Sequence, residues 1–154
     1  ILISVQAVDI EGKVLTIPSS NINFEYRKTD LPRSLIFLSA SFQGVFKNKI
    51  EAKKHIEILK EQKEKTQPTK IKTSGSTFKN PISQTSEKVW KLIKLSVPKN
   101  ISFGDATISD KHSNFFVNKN KATYQDMKQL IDFVRREVKK KTGINLDLEI
   151  EIIN

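Results

Sequence analysis

Residues 66–81 read TQPTKIKTSGSTFKNP, and this stretch divides the chain. Ahead of it, residues 50–65 carry Ala52, Ile56 and Leu59 on one helical stripe with lysines elsewhere, which predicts an amphipathic helix. Pro68 removes a backbone donor and Gly75 accepts positive φ, so the helix stops and the chain can turn. The break predicts two parts, residues 1–65 and 66–154. Within it, Ser76 follows a glycine in a chain with no cysteine and only two histidines. A hydrolase serine needs a histidine base held by a carboxylate and a Gly-x-Ser-x-Gly turn, and neither accompanies Ser76. Two roles remain for it. It is a turn serine bonded to nearby backbone, or a neutral hydroxyl that gives its proton to a strongly basic carbon.

Working outward, residues 1–17 predict a β-hairpin: "ILISVQAV" and "KVLTI" are β-branched and flank the turn "DIEG". "SSNINFEYRKTDLPRS" reads as loop, and "LIFLSASF" as a strand apolar enough to be buried on both faces. Beyond the break, Ser83 to Leu95 sets Val89, Leu92 and Ile93 at helical spacing, with Pro98 barring continuation. Short strands follow at "ISF", "ATIS" and "NFFVN". Thr123 and Asp126 form a helix-start pair, Met127, Leu130, Ile131, Val134 and Val138 share a face, and Gly143 can end that helix. "INLDLEIEI" alternates strictly, which predicts a last strand with Asp147, Glu149 and Glu151 on its polar face. The pattern is α+β.

The 154 residues suit one ordinary domain, or a small one plus part of another, and carry a formal charge of +10. Between Phe46 and Lys72 nine lysines face four glutamates, a composition of a solvated helix rather than of a nucleic-acid surface with interleaved arginine, glycine and aromatics. Attraction to a small anionic ligand stays open. No apolar run approaches the length of a membrane span and no basic-then-apolar leader is present. Two isolated histidines, His55 and His112, give no metal-ligand spacing; His55 lies among helix lysines, and His112 sits at a turn where ligand contact and solvent exposure are equally open. The chain starts at Ile1 directly in strand-like sequence, and the expectation is that it is a piece of a longer protein.

Four segments, in order, carry a resemblance. "GSTFKNP" is similar to the Gly-Ser-x-Phe-Lys-Asn-Pro signature of the UDP-N-acetylenolpyruvoylglucosamine reductase (UDP-N-acetylmuramate dehydrogenase) family, matching at all six specified positions. "FEYRKT" resembles that family's Tyr-Arg-x-Ser segment, with Thr29 in place of the serine. "ISDKHSNFFVN" resembles its Lys-His-x-Asn-Phe-x-x-Asn segment, and "GINLDLEIEII" its closing strand, with Leu148 where proline is common.

The resemblance implies a flavoenzyme that uses NADPH and FAD to reduce UDP-N-acetylglucosamine enolpyruvate to UDP-N-acetylmuramate in the cytoplasm, as a monomer, for peptidoglycan precursor synthesis. Residues 1–65 would be the tail of the FAD-binding domain and 66–154 a small substrate-binding domain. Matched residue by residue, it implies Ser76 as proton donor, Arg27 as the cation on the enolate and Glu149 as supporting acid. It also implies substrate contacts at Tyr26, Lys79, Asn80 and His112, with Lys65 near the phosphates. The family's glycine-rich flavin loop has no counterpart here, so the chain alone is expected to be inactive. No metal, membrane or nucleic acid enters this reading. Its rivals are a non-catalytic anion- or nucleotide-binding module and a degenerate remnant.

Overall fold

Gly12, at φ +82, closes the first hairpin of the computed structural model, which describes residues 1–153. Strand β1 (Leu2–Val8) pairs antiparallel with β2 (Val14–Pro18), Val8 facing Val14 across the turn. The Asp9 carboxylate stiffens that turn by accepting the amides of Glu11 and Lys13 at 3.1 and 2.8 Å. A short 3-10 turn at Ser19–Asn21 follows, then a minimal hairpin of β3 (Phe24–Glu25) and β4 (Lys28–Thr29) where the sequence predicts plain loop. Strand β5 (Ile36–Phe42) joins β1 antiparallel, giving the sheet order β2-β1-β5.

Burial on both faces of this third strand is not observed: every residue of β5 is exposed. Its apolar side chains lie on an edge strand of a three-stranded sheet, and Ile36, Phe37, Leu38 and Phe42 each keep more than half of their surface exposed. Helix α1 (Lys49–Thr66) forms where its pattern predicts, yet buries no residue, and Ile56 and Leu59 of its stripe are half exposed. The chain divides into two compact units, Ile1–Ala52 and Lys53–Asn154, so that the division falls inside α1.

The second unit holds the main core. Strand β6 (Lys72–Ser76), helix α2 (Val89–Ser96), β7 (Ser102–Phe103), β8 (Ala106–Ile108), β9 (Phe115–Asn118) and helix α3 (Tyr124–Thr142) follow in order. The sheet order is β6-β9-β8-β7, antiparallel throughout. Leu130, Ile131, Val134 and Val138 of α3 pack with Val89, Leu92 and Ile93 of α2, Phe116 of the sheet and Phe78 after β6. Burying each large side chain contributes roughly 1.5–3 kcal/mol, so this one cluster dominates the unit's stability. The start of α3 matches its sequence signal: the Thr123 hydroxyl accepts the Asp126 amide, the Asp126 carboxylate accepts the Thr123 amide, and Gly143 at φ +74 ends the helix.

Helix α2 and the closing segment also differ from expectation. Helix α2 starts at Val89 instead of Ser83, because residues 82–88 are spent in turns: the Ile82 amide bonds Asn80, those of Gln84 and Thr85 bond Pro81, and that of Glu87 bonds the Thr85 hydroxyl. The closing "INLDLEIEI" keeps its alternation, with Leu146 buried and Asp147 exposed, but forms no strand beyond a single bridge, Leu148 to Phe78. The reason lies in the partner. Pro81 lacks an N–H on one side of Phe78 and the chain bends at Gly75 on the other, which leaves only a three-residue edge to pair with.

Candidate active site

Gly75 decides where Ser76 points. Thr73 pairs with Val117 and Ser76 with Phe115, so β6 advances three residues while β9 advances two, and the extra residue makes a β-bulge. Gly75 takes φ +87 inside it, a conformation that glycine adopts without steric cost. Ser76 emerges half-buried at the end of the bulge.

The next three residues are held from both edges. On one edge the Thr77 amide donates to the Asn114 carbonyl at 2.8 Å, the Phe78 amide to Asn114 Oδ1 at 3.0 Å, and Asn114 Nδ2 to the Phe78 carbonyl at 2.8 Å. On the other, the Glu149 amide donates to the Thr77 carbonyl and the Lys79 amide to the Asp147 carbonyl, both at 2.9 Å. Five main-chain groups of a loop are thereby satisfied away from regular sheet, which makes the segment rigid. Asn80 continues the pattern: its Oδ1 accepts the Val89 amide at 3.0 Å and so caps α2, whose N-cap residue Lys88 offers no side-chain acceptor.

His112 sits beside this segment. Its Nδ1 accepts the Asn114 amide at 3.2 Å, which leaves the proton of the neutral ring on Nε2. The ring lies edge-on to Phe115, with centroids 4.8 Å apart, and 6.5 Å from the Trp90 ring. Burial lowers its pKa from the ordinary 6.5, opposed in part by a backbone hydrogen bond, so the ring favours the neutral form.

The predicted site residues thus fall into three groups. Ser76, Lys79, Asn80, His112 and Glu149 come together around Thr77 and Phe78. Lys65 is instead on the wall of a cleft of about 620 Å³ that also meets Lys70, Lys111 and Lys119, with Glu61, Glu64 and Asp110 among its acids. Lys111 Nζ donates to the Glu64 carbonyl at 2.8 Å, near the end of α1. Tyr26 and Arg27 belong to the first unit, as the two turn residues between β3 and β4. Arg27 adopts φ +62 and its guanidinium lies 5.5 Å from the Tyr26 ring centroid. A non-glycine residue in this left-handed region costs about 1 kcal/mol or more, and such strain concentrates at functional sites. Among the described residues no group of three or more His, Cys, Asp or Glu could hold a metal ion, and no helix is long and apolar enough to cross a membrane.

Sequence reasoning matched Asn114 as a position of the "KHSNFFVN" segment but gave it no role; the further signal was an amide entering an apolar run, where burial obliges every polar atom to find a partner.

Residues 67–153 match the family model of the UDP-N-acetylenolpyruvoylglucosamine reductase C-terminal domain. Among curated proteins, the UDP-N-acetylenolpyruvoylglucosamine reductase of Pelagibacter ubique is 61% identical over 153 residues, spanning 99% of this chain and 51% of that protein. The reductase of the same name from Rickettsia conorii is 35% identical over 153 residues, with the same coverage of 99% and 51%. The crystal structure of the Thermus caldophilus UDP-N-acetylenolpyruvylglucosamine reductase superposes with a TM-score of 0.77 at 29% identity, covering 97% of this chain and 52% of that one. The chain spans about half the length of the curated relatives it matches.

Proposed function

Because the chain belongs to the UDP-N-acetylenolpyruvoylglucosamine reductase family, we propose that it carries the substrate-side machinery of an enzyme that reduces UDP-N-acetylglucosamine enolpyruvate to UDP-N-acetylmuramate. The observation that carries the reading is convergence. Segments 75–81, 108–118 and 143–153, far apart in sequence, meet at Thr77–Lys79 and bring Ser76, Asn80, His112 and Glu149 to one place. In this reading the protein acts in the cytoplasm as a monomer, with FAD and NADPH as cofactors.

The cofactors enter through the family alone. The described residues do not fit FAD as they stand: the five glycines are scattered, with no glycine-rich run to cradle a pyrophosphate.

What this chain's residues do follows from the substrate. Addition of hydride to the terminal carbon of the enolpyruvyl group leaves the electron pair of the double bond on the neighbouring carbon, delocalised into the carboxylate as an enolate. A planar guanidinium suits those oxygens, which is the role of Arg27. The Ser76 hydroxyl gives its proton to that carbon, completing the saturated lactyl ether, and regains one from solvent or a neighbouring group. Glu149 supports this polarisation by proton exchange. The lysines of the cleft that includes Lys65 suit the substrate's diphosphate.

The test is direct. A full-length family member carrying this chain, loaded with FAD, should consume NADPH beyond one equivalent per flavin only when the enolpyruvyl nucleotide is present, and release UDP-N-acetylmuramate. A flavin-loaded protein that leaves this substrate unreduced overturns the reading.

A further inference from the structure

We propose that Asn114 is a positioning residue for Ser76, acting through the backbone of Thr77 and Phe78. The proposal rests on the reductase reading above. Asn114 is 3% exposed, and its side-chain amide spends an acceptor and a donor on the two main-chain groups of one residue, Phe78. Its own carbonyl takes the Thr77 amide. Three hydrogen bonds from one residue therefore hold the two positions that follow Ser76.

The place of the clamp is what gives it consequence. Regular pairing of β6 with β9 ends at Ser76, where the ladder has already slipped by one residue. On the other side of the serine stands Gly75, at φ +87 with open space where a Cβ would be, held only by its amide donating to Thr73 Oγ1 at a long 3.3 Å. The ladder cannot set the direction of Ser76 by itself. Asn114 supplies the restraint on the β9 edge by imitating a neighbouring strand, offering an acceptor and a donor at the spacing of a peptide group. It is anchored in turn by its amide, which donates to His112 Nδ1 at 3.2 Å. A reacting hydroxyl tolerates little misplacement, and an error of about 1 Å can lower a rate on the order of a hundredfold.

The experiment uses a full-length family member carrying this chain. Asn114→Asp is nearly isosteric and keeps the acceptor for the Phe78 amide, but sets a second oxygen against the Phe78 carbonyl. It should lower kcat for reduction of UDP-N-acetylglucosamine enolpyruvate by about ten- to a hundredfold with KM nearly unchanged. In a Ser76→Ala background the same change should cost nothing further, because the group it aims is gone. A purely structural amide gives losses that multiply in the double variant, and that result overturns the proposal, as does an Asn114→Asp enzyme with wild-type kcat. Should the variant not fold, amide hydrogen exchange in the wild-type protein decides: the Thr77 and Phe78 amides should exchange as slowly as that of Phe116, and fast exchange there overturns the clamp. A wild-type enzyme inert toward the substrate defeats the reductase reading, and this proposal with it, whereas unchanged kcat in Asn114→Asp defeats the clamp alone.

Discussion

The amide of Glu149 donates to the carbonyl of Thr77 over 2.9 Å, tying the last extended segment of the chain to the residue that follows Ser76. The bond belongs to a three-residue pairing centred on the Phe78–Leu148 bridge and closed by the Lys79 amide on Asp147. Through it, two segments separated by most of the second unit become neighbours, and Asp147 and Glu149 both bond this segment through their main chains, Glu149 at the residue next to Ser76. Phe78 itself turns inward and meets Phe116 edge-on at 5.7 Å, so the core fixes the height of this pairing.

Ser76→Ala, in a full-length enzyme carrying this chain, should leave bleaching of the flavin by NADPH nearly intact and slow reduction of the enolpyruvyl substrate by orders of magnitude, on the order of 10²–10⁴. Ser76→Cys should restore part of that loss, since a thiol of similar size still donates a proton. Stopped-flow measurement of the two half-reactions separates this from a turn serine, whose loss impairs stability or both halves together. Substrate reduction at the wild-type rate in Ser76→Ala removes the serine from the mechanism.

Two glycines at positive φ should respond differently to alanine. Gly75→Ala meets no atom within 4 Å, so its cost is conformational, about 1 kcal/mol, and its main effect should be on activity through the direction of Ser76. Gly104→Ala, at φ +51, would place a Cβ 2.7 Å from Asp126 Oδ2, and Asp126 holds the capping box of α3. Relieving that contact loosens the cap, adding about 1 kcal/mol to the backbone cost. Urea denaturation should rank Gly104→Ala as the less stable, and kinetics should rank Gly75→Ala as the less active; the reverse order in both would refute the assignment.

His112 should make stability fall as the solution is acidified. Its folded pKa is lowered by burial, so the unfolded chain binds the proton first. The contribution is fully present above the ordinary value of 6.5, falls as pH drops below it, and is lost once pH passes the lowered folded value. Protonation also fills Nδ1, which then can no longer accept the Asn114 amide. Denaturation midpoints from pH 8 to pH 5 should decline in this way for the wild type and more weakly for His112→Gln. An equal decline in both shows that other groups carry the effect.

Expressed alone, the 154-residue chain should purify colourless and fail to reduce the enolpyruvyl nucleotide, because the described residues provide no pyrophosphate cradle. Yellow flavin retained in stoichiometric amount through gel filtration contradicts this. Its charge of +10 should give only the weak duplex DNA binding of phosphate contacts, with Kd of roughly 10⁻⁴–10⁻⁶ M near physiological salt. Tighter binding there favours a nucleic-acid module.

Local signals determined a good part of this protein from its sequence. The Thr123–Asp126 box and the Leu130, Ile131, Val134 and Val138 stripe specify α3, because a cap acts within one turn and a helix buries one face. "DIEG" between two β-branched runs specifies the first hairpin for the same reason of reach. Four short motifs carry the resemblance that makes Ser76, Arg27 and Glu149 candidates. Tertiary structure alone decided the rest. The apolar run of β5 is exposed because burial depends on what covers a strand, which its own residues do not encode. The closing segment alternates like a strand yet pairs over only three residues, because strand pairing requires a free partner edge, and Pro81 and the bulge at Gly75 limit the one it meets. Asn114 was invisible as a clamp for the same reason: a side chain that completes another segment's hydrogen bonds carries no periodicity of its own, and its function exists only once Phe78 is brought to within 3.0 Å of it.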